Sequence, residues 1–243
     1  MIVRDRNMEL TPAAVQGAIG EFMRDVRPRL SRLAKAYEGQ GAITARMRPA
    51  GLPNNRLVHA FPRYIVTMAA GYLVGKPVVY SMAEETPALH GILRDYAASD
   101  MDSVDAELAT DASIYGRGVC ICYTDEAGKM KCSSLDPRAA FVVYDDTVEH
   151  RPLFGVHWRE RYDENGRRSG MSIHVHTAQE EITYEGRSLT TACEETQRRA
   201  YYFGGVPMVE FWNNAQESGD FEPVLSLIEA YDALESDRIN DKQ

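Results

Sequence analysis

The sequence predicts an α+β fold: N-terminal helices, a central antiparallel β-sheet of hairpins, and a C-terminal helix. Three observations predict it. Up to residue 116 the apolar residues recur at helical spacing between cap and stop signals. From residue 118 to 184 they fall in consecutive short runs divided by turn residues such as Asn165-Gly166. After residue 220 one helical stripe follows. Strands that succeed one another without intervening helices pair antiparallel, which argues against a doubly wound sheet.

Thr11-Pro12 starts the first helix, a hydroxyl cap followed by a proline in the first turn. Val15, Ile19, Phe22 and Val26 form its apolar face, Pro28 interrupts it, and a second piece runs through Leu30, Leu33 and Tyr37 to Gly39. Arg24, Arg27, Arg29, Arg32 and Lys35 read as a solvated face, because Glu21, Asp25 and Glu38 dilute the basic charge. Residues 40–53 have the Gly and Pro content of a loop. A further helix is expected from Asn54-Asn55, with Leu57, Val58, Phe61, Ile65, Met68, Ala69 and Tyr72 on its apolar side. Pro62 either kinks that helix or marks its true first turn. Val78–Tyr80 reads as a strand, and helices are expected at Pro87–Ala98 and Asp100–Tyr115, the latter capped by Asp100, burying Val104, Leu108 and Ala112, and stopped by Gly116.

Gly118–Thr124 and Lys129–Leu135 form a hairpin around Asp125–Gly128. Phe141–Tyr144, Leu153–Tyr162, Met171–Thr177 and Glu181–Tyr184 follow as strands, residues 186–200 as loop, and Val206–Trp212 as a last strand. Asp220 then caps a helix with Pro223 in its first turn and Val224, Leu225, Ile228, Tyr231 and Leu234 as its apolar stripe. No stop signal follows that helix. The expectation is a chain cut short, with Ser236–Gln243 exposed or frayed.

Bulk composition narrows function. The 243 residues are 44% hydrophobic, enough for a real core, and carry a net charge of −9 from 27 basic and 36 acidic side chains. That balance argues against a sequence-specific DNA-binding domain, which shows a basic footprint. Nothing approaches the roughly 18 consecutive apolar residues of a membrane span, so no membrane partner is expected, and the N-terminus lacks a secretory h-region. Four cysteines are too few for a disulfide scaffold and point to a reducing cytosol.

Few constellations carry chemistry. Gly71, Gly75 and Lys76 resemble a phosphate loop, but only three residues separate the glycines and Pro77 stands where a hydroxyl is needed. If Thr124 opposes Met130, Cys122 faces Cys132 with Cys120 on the same face; three thiols suggest zinc, yet no fourth ligand is evident and cysteine also serves as a small buried hydrophobe. His174 and His176 share a face, and a two-residue turn at Gly166-Arg167 places His157 opposite His176. No catalytic residue and no cofactor is assigned.

The order of segments resembles the N-terminal half of a tailed-bacteriophage portal protein of the siphophage type. Six stretches carry the resemblance: Tyr37-Glu38-Gly39 with Ile43 and Arg46; Asn54–Val58 leading to Tyr64-Ile65-Val66 and Gly71–Val78; Ala112–Gly116 before Tyr123, Asp125, Glu126 and Gly128; Leu135-Asp136-Pro137 before Val143-Tyr144-Asp145; Val206–Phe211 into Asn213-Asn214; and Gly219–Glu222 before Leu227–Leu234, Ser236, Asp237 and Asn240. The resemblance covers about residue 37 onward and is thin at 1–36 and 186–203.

The resemblance implies a structural protein without ATPase activity: a ring of commonly twelve subunits at one capsid vertex, through which double-stranded DNA passes during packaging and ejection without sequence readout. It implies partners in the terminase, scaffold and capsid proteins and head-completion proteins, assembly in the host bacterial cytoplasm, and residence in the virion. It divides the chain into a helical arm and loop (1–53), a wing-like α+β domain (54–220) and the start of a helix toward a stem region (221–243). An acidic channel wall lets DNA slide where a basic one would hold its phosphates. The alternatives are a metal-dependent enzyme using His157, His174 and His176 or the Cys120, Cys122 and Cys132 cluster, and an unrelated α+β binding module.

Overall fold

The computed structural model describes residues 1–83, 86–189 and 193–242. Two sheets lie at its centre. The larger has strand order β1-β4-β5-β6-β7-β8, from β1 (Ile2–Arg4), β4 (Ala140–Asp145), β5 (Pro152–Tyr162), β6 (Arg168–His176), β7 (Glu180–Gly186) and β8 (Glu194–Ala200). The smaller has order β3-β2-β9, from β2 (Arg117–Thr124), β3 (Met130–Leu135) and β9 (Met208–Trp212). Every pairing is antiparallel except β1 with β4. The parallel strand β1 has only three residues, too few for a period to show in sequence.

Helices α1 (Pro12–Glu21) and α2 (Arg27–Tyr37) cover one face of the larger sheet. They are joined without a break by a π-helical turn, Phe22–Val26, rather than interrupted at Pro28. Proline cannot donate to the carbonyl four residues back and its ring crowds that carbonyl. The wider turn, in which Arg27 N–H bonds Phe22 O, absorbs the defect. It also sets Phe22 fully buried, stacked on Phe141 at 4.7 Å and edge-on to Trp158 at 5.6 Å. Strand residues of the same parity, Phe154, Val156, Ile173, Val175 and Ile182, complete this core.

The opposite face of the larger sheet meets the smaller sheet at β4, where Ala140 and Val142 pack on Val119, Ile121 and Met208. Gly155 permits the approach, since a Cβ there would stand 2.4 Å from the Met208 sulfur. A buried ion pair crosses the junction. Arg117 Nη1 donates to Glu210 Oε1 at 2.9 Å, and Glu210 also accepts from Tyr144 Oη at 3.0 Å and from Val142 N–H at 3.4 Å. Burial pushes the Glu210 carboxyl up, and Arg117 and Tyr144 pull it back down. The Arg117 guanidinium lies 5.3 Å from the Phe22 ring centroid. Beyond the smaller sheet, α5 (Met101–Tyr115) packs Val104 and Leu108 against Cys120, with α4 (Pro87–Ala98) and α3 (Phe61–Val74) alongside.

The closing helix α6 (Leu225–Asn240) departs most from expectation. Leu225 and Ile228 dock as predicted, but the buried face then continues through Asp232, Ser236 and Asn240, while Leu227, Tyr231 and Leu234 face outward. Residues 53–60, expected as helix from Asn54 onward, have neither helical nor strand structure and run antiparallel along α6. Asn55 N–H donates to Asn240 Oδ1 (2.7 Å), Leu57 N–H to Ser236 Oγ (2.9 Å) and His59 N–H to Asp232 Oδ1 (3.0 Å). The spacings match: two residues of near-extended chain rise about 6.6 Å and four helical residues about 6 Å. His59 Nδ1 also contacts Asp232 Oδ1 at 2.7 Å, and Arg46 and Arg48 both pair with Asp237. In the described part of the tail one face is therefore clasped rather than frayed, Ser236 being 0% and Asn240 5% exposed, while Arg238, Ile239, Asp241 and Lys242 are exposed as expected; Gln243 lies outside the described residues.

Other expectations are corrected. Helix α3 begins at Phe61, so Pro62 marks the first turn. Val78–Tyr80 forms no strand, and residues 194–200, expected as loop, are β8, whose polar residues show no alternation because both faces are exposed. Asp100 stands at the N-cap of α5 as expected, but at φ 51° its carboxylate accepts from Ser103 Oγ rather than from a helix N–H, and Ala112 is only half-buried. Asp220 does not cap α6; it accepts from Ser113 Oγ at 2.6 Å and from Asn213 Nδ2 at 2.8 Å, tying the loop before a short 3₁₀ turn (Glu222–Val224) to α5. Gly116, at φ 83°, is needed there, because a Cβ would lie 2.1 Å from Glu217 O.

Two outcomes are expected. Glu210→Ala leaves Arg117 buried and unpaired and should cost about 3–5 kcal/mol in urea denaturation, whereas the double change Arg117→Met with Glu210→Leu should recover most of that loss. Asn240→Ala should cost about 1–3 kcal/mol and speed hydrogen exchange at the Asn55 amide while leaving the sheet amides unchanged; uniform acceleration would show that the strap is not a separate clasp.

Candidate functional site: a histidine-lined cleft between the sheets

Away from β4 the two sheets diverge and enclose a cleft of about 390 Å³. Its floor is the outward face of β5–β8. Strand pairing aligns cross-strand rows there: Ala140, His157, His174 and Thr183 in one, Gly155, His176, Glu181 and Arg199 in the next. The roof is the inner face of β2 and β3, with Ile121, Tyr123, Ser133 and Leu135, and Tyr201, Phe203 and Pro207 close one side.

The three histidines do converge, though by a pairing other than expected. His157 opposes His174, not His176, because the turn spans Asp163–Arg167 and a bulge follows at Arg161/Tyr162. The shift is two residues, so side-chain parity survives and all three rings stay on one face. The rings stack in parallel, His157 lying 4.7 Å from His174 and 5.1 Å from His176. His176 Nε2 and His157 Nδ1 are 3.2 Å apart, His174 Nδ1 meets Glu181 Oε1 at 2.9 Å, and His174 Nε2 meets Ser172 Oγ at 3.1 Å. Burial, reinforced by the neighbouring rings, pushes His157 down to about 3. Burial also takes His176 down to about 4, against the pull of Glu181. Contact with His174 holds the Glu181 carboxyl below its ordinary range. His157 and His176 are thus neutral near pH 7.

The thiols fall where the hairpin register predicts: Thr124 opposes Met130, and Cys122 opposes Cys132 with sulfurs 3.5 Å apart. Cys120 and Cys132 pack with Val104, Leu108 and Met101, as small hydrophobes do, and burial pushes the Cys132 thiol up to about 12. Among the described residues no group of three or more His, Cys, Asp or Glu side chains is arranged to hold a metal ion. The Gly71–Lys76 segment ends α3, where Gly75 lies against the Gly71 carbonyl and Lys76 is exposed, so it forms no phosphate cradle.

One surface was not read from the sequence. The α3 residues assigned to a buried face are largely outside: Tyr72 is 96%, Met68 58% and Phe61 44% exposed, and in this helix only Pro62 and Val66 are buried. The α6 residues Leu227, Tyr231 and Leu234 are exposed as well, and Tyr231 bridges the two helices through Phe61 and His59. The helical period carried the signal that an apolar stripe exists, but not what covers it.

Comparisons with known proteins give a consistent likeness. The family model described as phage portal protein, SPP1 Gp6-like, matches residues 23–243. A curated portal protein of Bacillus phage SPP1 is 24% identical over 194 residues, covering 75% of this chain and 38% of that protein. The chain thus spans less than two-fifths of the length of that relative. Among the described residues no helix is long and apolar enough to cross a membrane.

The histidines give the cleft an acid limit. Their folded-state values lie below the ordinary 6.5, so between the two values the unfolded chain binds more protons than the folded one. Stability is full above about pH 6.5 and falls as pH drops toward 4, by about 1.4 kcal/mol per pH unit for each ring that stays neutral. In urea melts from pH 7 to 4, His157→Gln should flatten this slope; an unchanged slope would place the acid sensitivity elsewhere.

Proposed function

Because the chain belongs to the phage portal protein family, SPP1 Gp6-like, we propose that it forms the wing-like body of one subunit in a portal ring at the capsid vertex. The ring is the passage through which double-stranded DNA enters during packaging and leaves during ejection. The observation that carries the reading is the family match over residues 23–243. At family level the role is structural and not enzymatic. The net charge of −9 suits a wall past which DNA slides, because strong binding to DNA rests on phosphate contacts from Lys and Arg.

Within this reading residues 54–220 supply the body, and α6, steadied by the 53–60 strap, leads toward the stem. The exposed apolar faces of α3 and α6 are contacts to neighbouring subunits, since monomers seldom leave such stripes in water. The terminase, scaffold and capsid proteins and head-completion proteins are the further partners, and the ring, commonly of twelve copies, is assembled in the host cytoplasm and carried in the virion.

The gene product that carries this chain should appear as closed rings with a central channel by electron microscopy. A product that stays monomeric at every concentration overturns the proposal. Met68→Glu with Tyr72→Glu should reduce ring formation at least tenfold while leaving the melting temperature of the 243-residue chain unchanged, because both side chains already face solvent. Rings that persist in this variant would move the interface off α3.

A further inference from the structure

The cleft between the diverging sheets holds more cationic and donor capacity than its own carboxylate uses. Arg159 and Arg199 line it, and neither makes a hydrogen bond or ion pair among the described residues. Neighbouring arginines of the same sheet do: Arg161 pairs with Glu185, Arg168 with Glu160 and Arg198 with Glu180. Arg199 stands directly opposite Glu181 in the strand register, yet Glu181 turns its carboxylate to His174.

The imidazoles add to this. His157 Nδ1 and His176 Nε2 face each other at 3.2 Å, which leaves His157 Nε2 and His176 Nδ1 without partners among the described residues. Whichever ring donates in that contact, one of the two remaining nitrogens carries a proton while both rings are neutral, and one further proton makes both of them donors. Ser133, on the inner face of β3, brings a hydroxyl to the same space.

We propose that this cleft binds a tetrahedral oxyanion of the phosphate class, gripped by the Arg159 and Arg199 guanidinium groups, with the His157 and His176 rings as proton-bearing partners. Planar guanidinium forks match such an anion through paired N–H···O bonds. A cleft of about 390 Å³ has room for a phosphomonoester as well as inorganic phosphate. The charged or titratable groups around the rings are Arg159 from β5, His174 from β6, Glu181 from β7, Arg199 from β8, Cys122 and Tyr123 from β2, and Tyr201 from the connection to β9. Of these only Glu181 opposes an anion, and its carboxylate is turned to His174 Nδ1 at 2.9 Å. Binding an anion beside the neutral rings favours their charged form, so a proton should be taken up with the ligand.

The test is calorimetric titration of the 243-residue chain with phosphate and with sulfate, at ionic strength held constant by chloride. Saturable millimolar binding of both anions is expected, with affinity for sulfate, whose charge is constant in this range, rising at least threefold from pH 7.5 to pH 6. Arg159→Gln with Arg199→Gln should weaken binding at least tenfold, and since both arginines are exposed their loss should leave the ligand-free melt unchanged. His157→Gln should remove the pH dependence while keeping part of the affinity. Absence of saturable binding, or an affinity that the double arginine variant leaves intact, overturns the site. Affinity independent of pH overturns the part assigned to the rings.

Discussion

A carboxylate removed from water organises the middle of this protein. Glu210 sits where the smaller sheet crosses β4, and it accepts from a guanidinium on β2 and from a phenol and a backbone N–H on β4. A buried charge is tolerated only with such partners, so Arg117, Tyr144 and Val142 must be held in register with it. Arg117 in turn lies over Phe22, which the π-helical turn presses between Phe141 and Trp158. One polar contact thereby links the helical layer, the larger sheet and the smaller one. It pins the sheets at one edge and leaves them to diverge toward β8, which is why a cleft exists at all.

The second organising contact is between backbone and side chain. Residues 53–60 lack a strand partner, and their alternate N–H groups find acceptors on one face of α6 instead. A helix that turns its polar residues inward to do this must turn apolar ones outward. The exposed stripe of Leu227, Tyr231 and Leu234 follows from the clasp, and α3 extends it through Phe61. Under the ring role proposed above, a body with an unpartnered apolar face suits a subunit whose burial is completed by its neighbours.

The legibility of each feature depended on how local its cause is. The Cys122–Cys132 pairing could be derived because a short turn sets the register of one hairpin. The histidine convergence was half legible. A period of two placed His174 and His176 on one face, but which residue His157 would oppose depended on a longer turn and a bulge with no sequence mark. The strap was illegible because Leu57, Val58 and Phe61 mimic a helical period, and nothing in Asp232, Ser236 and Asn240 announces that they would serve another segment's backbone. Strand β8 was missed because an edge strand exposed on both faces has no alternation to read.

By itself the sequence determined most of the element types, the order of the main helices before the main strands, the hairpins with strong turn residues and, through its ordered segments, the family. Those properties rest on caps, breakers and periodicity, which act over a few residues. Only the tertiary structure decided which face of each element is buried, how β5 and β6 are registered, and that two distant arginines and three histidines share one cleft. These depend on partners far away in the chain, and a periodic pattern shows that a face seeks cover without showing what supplies it.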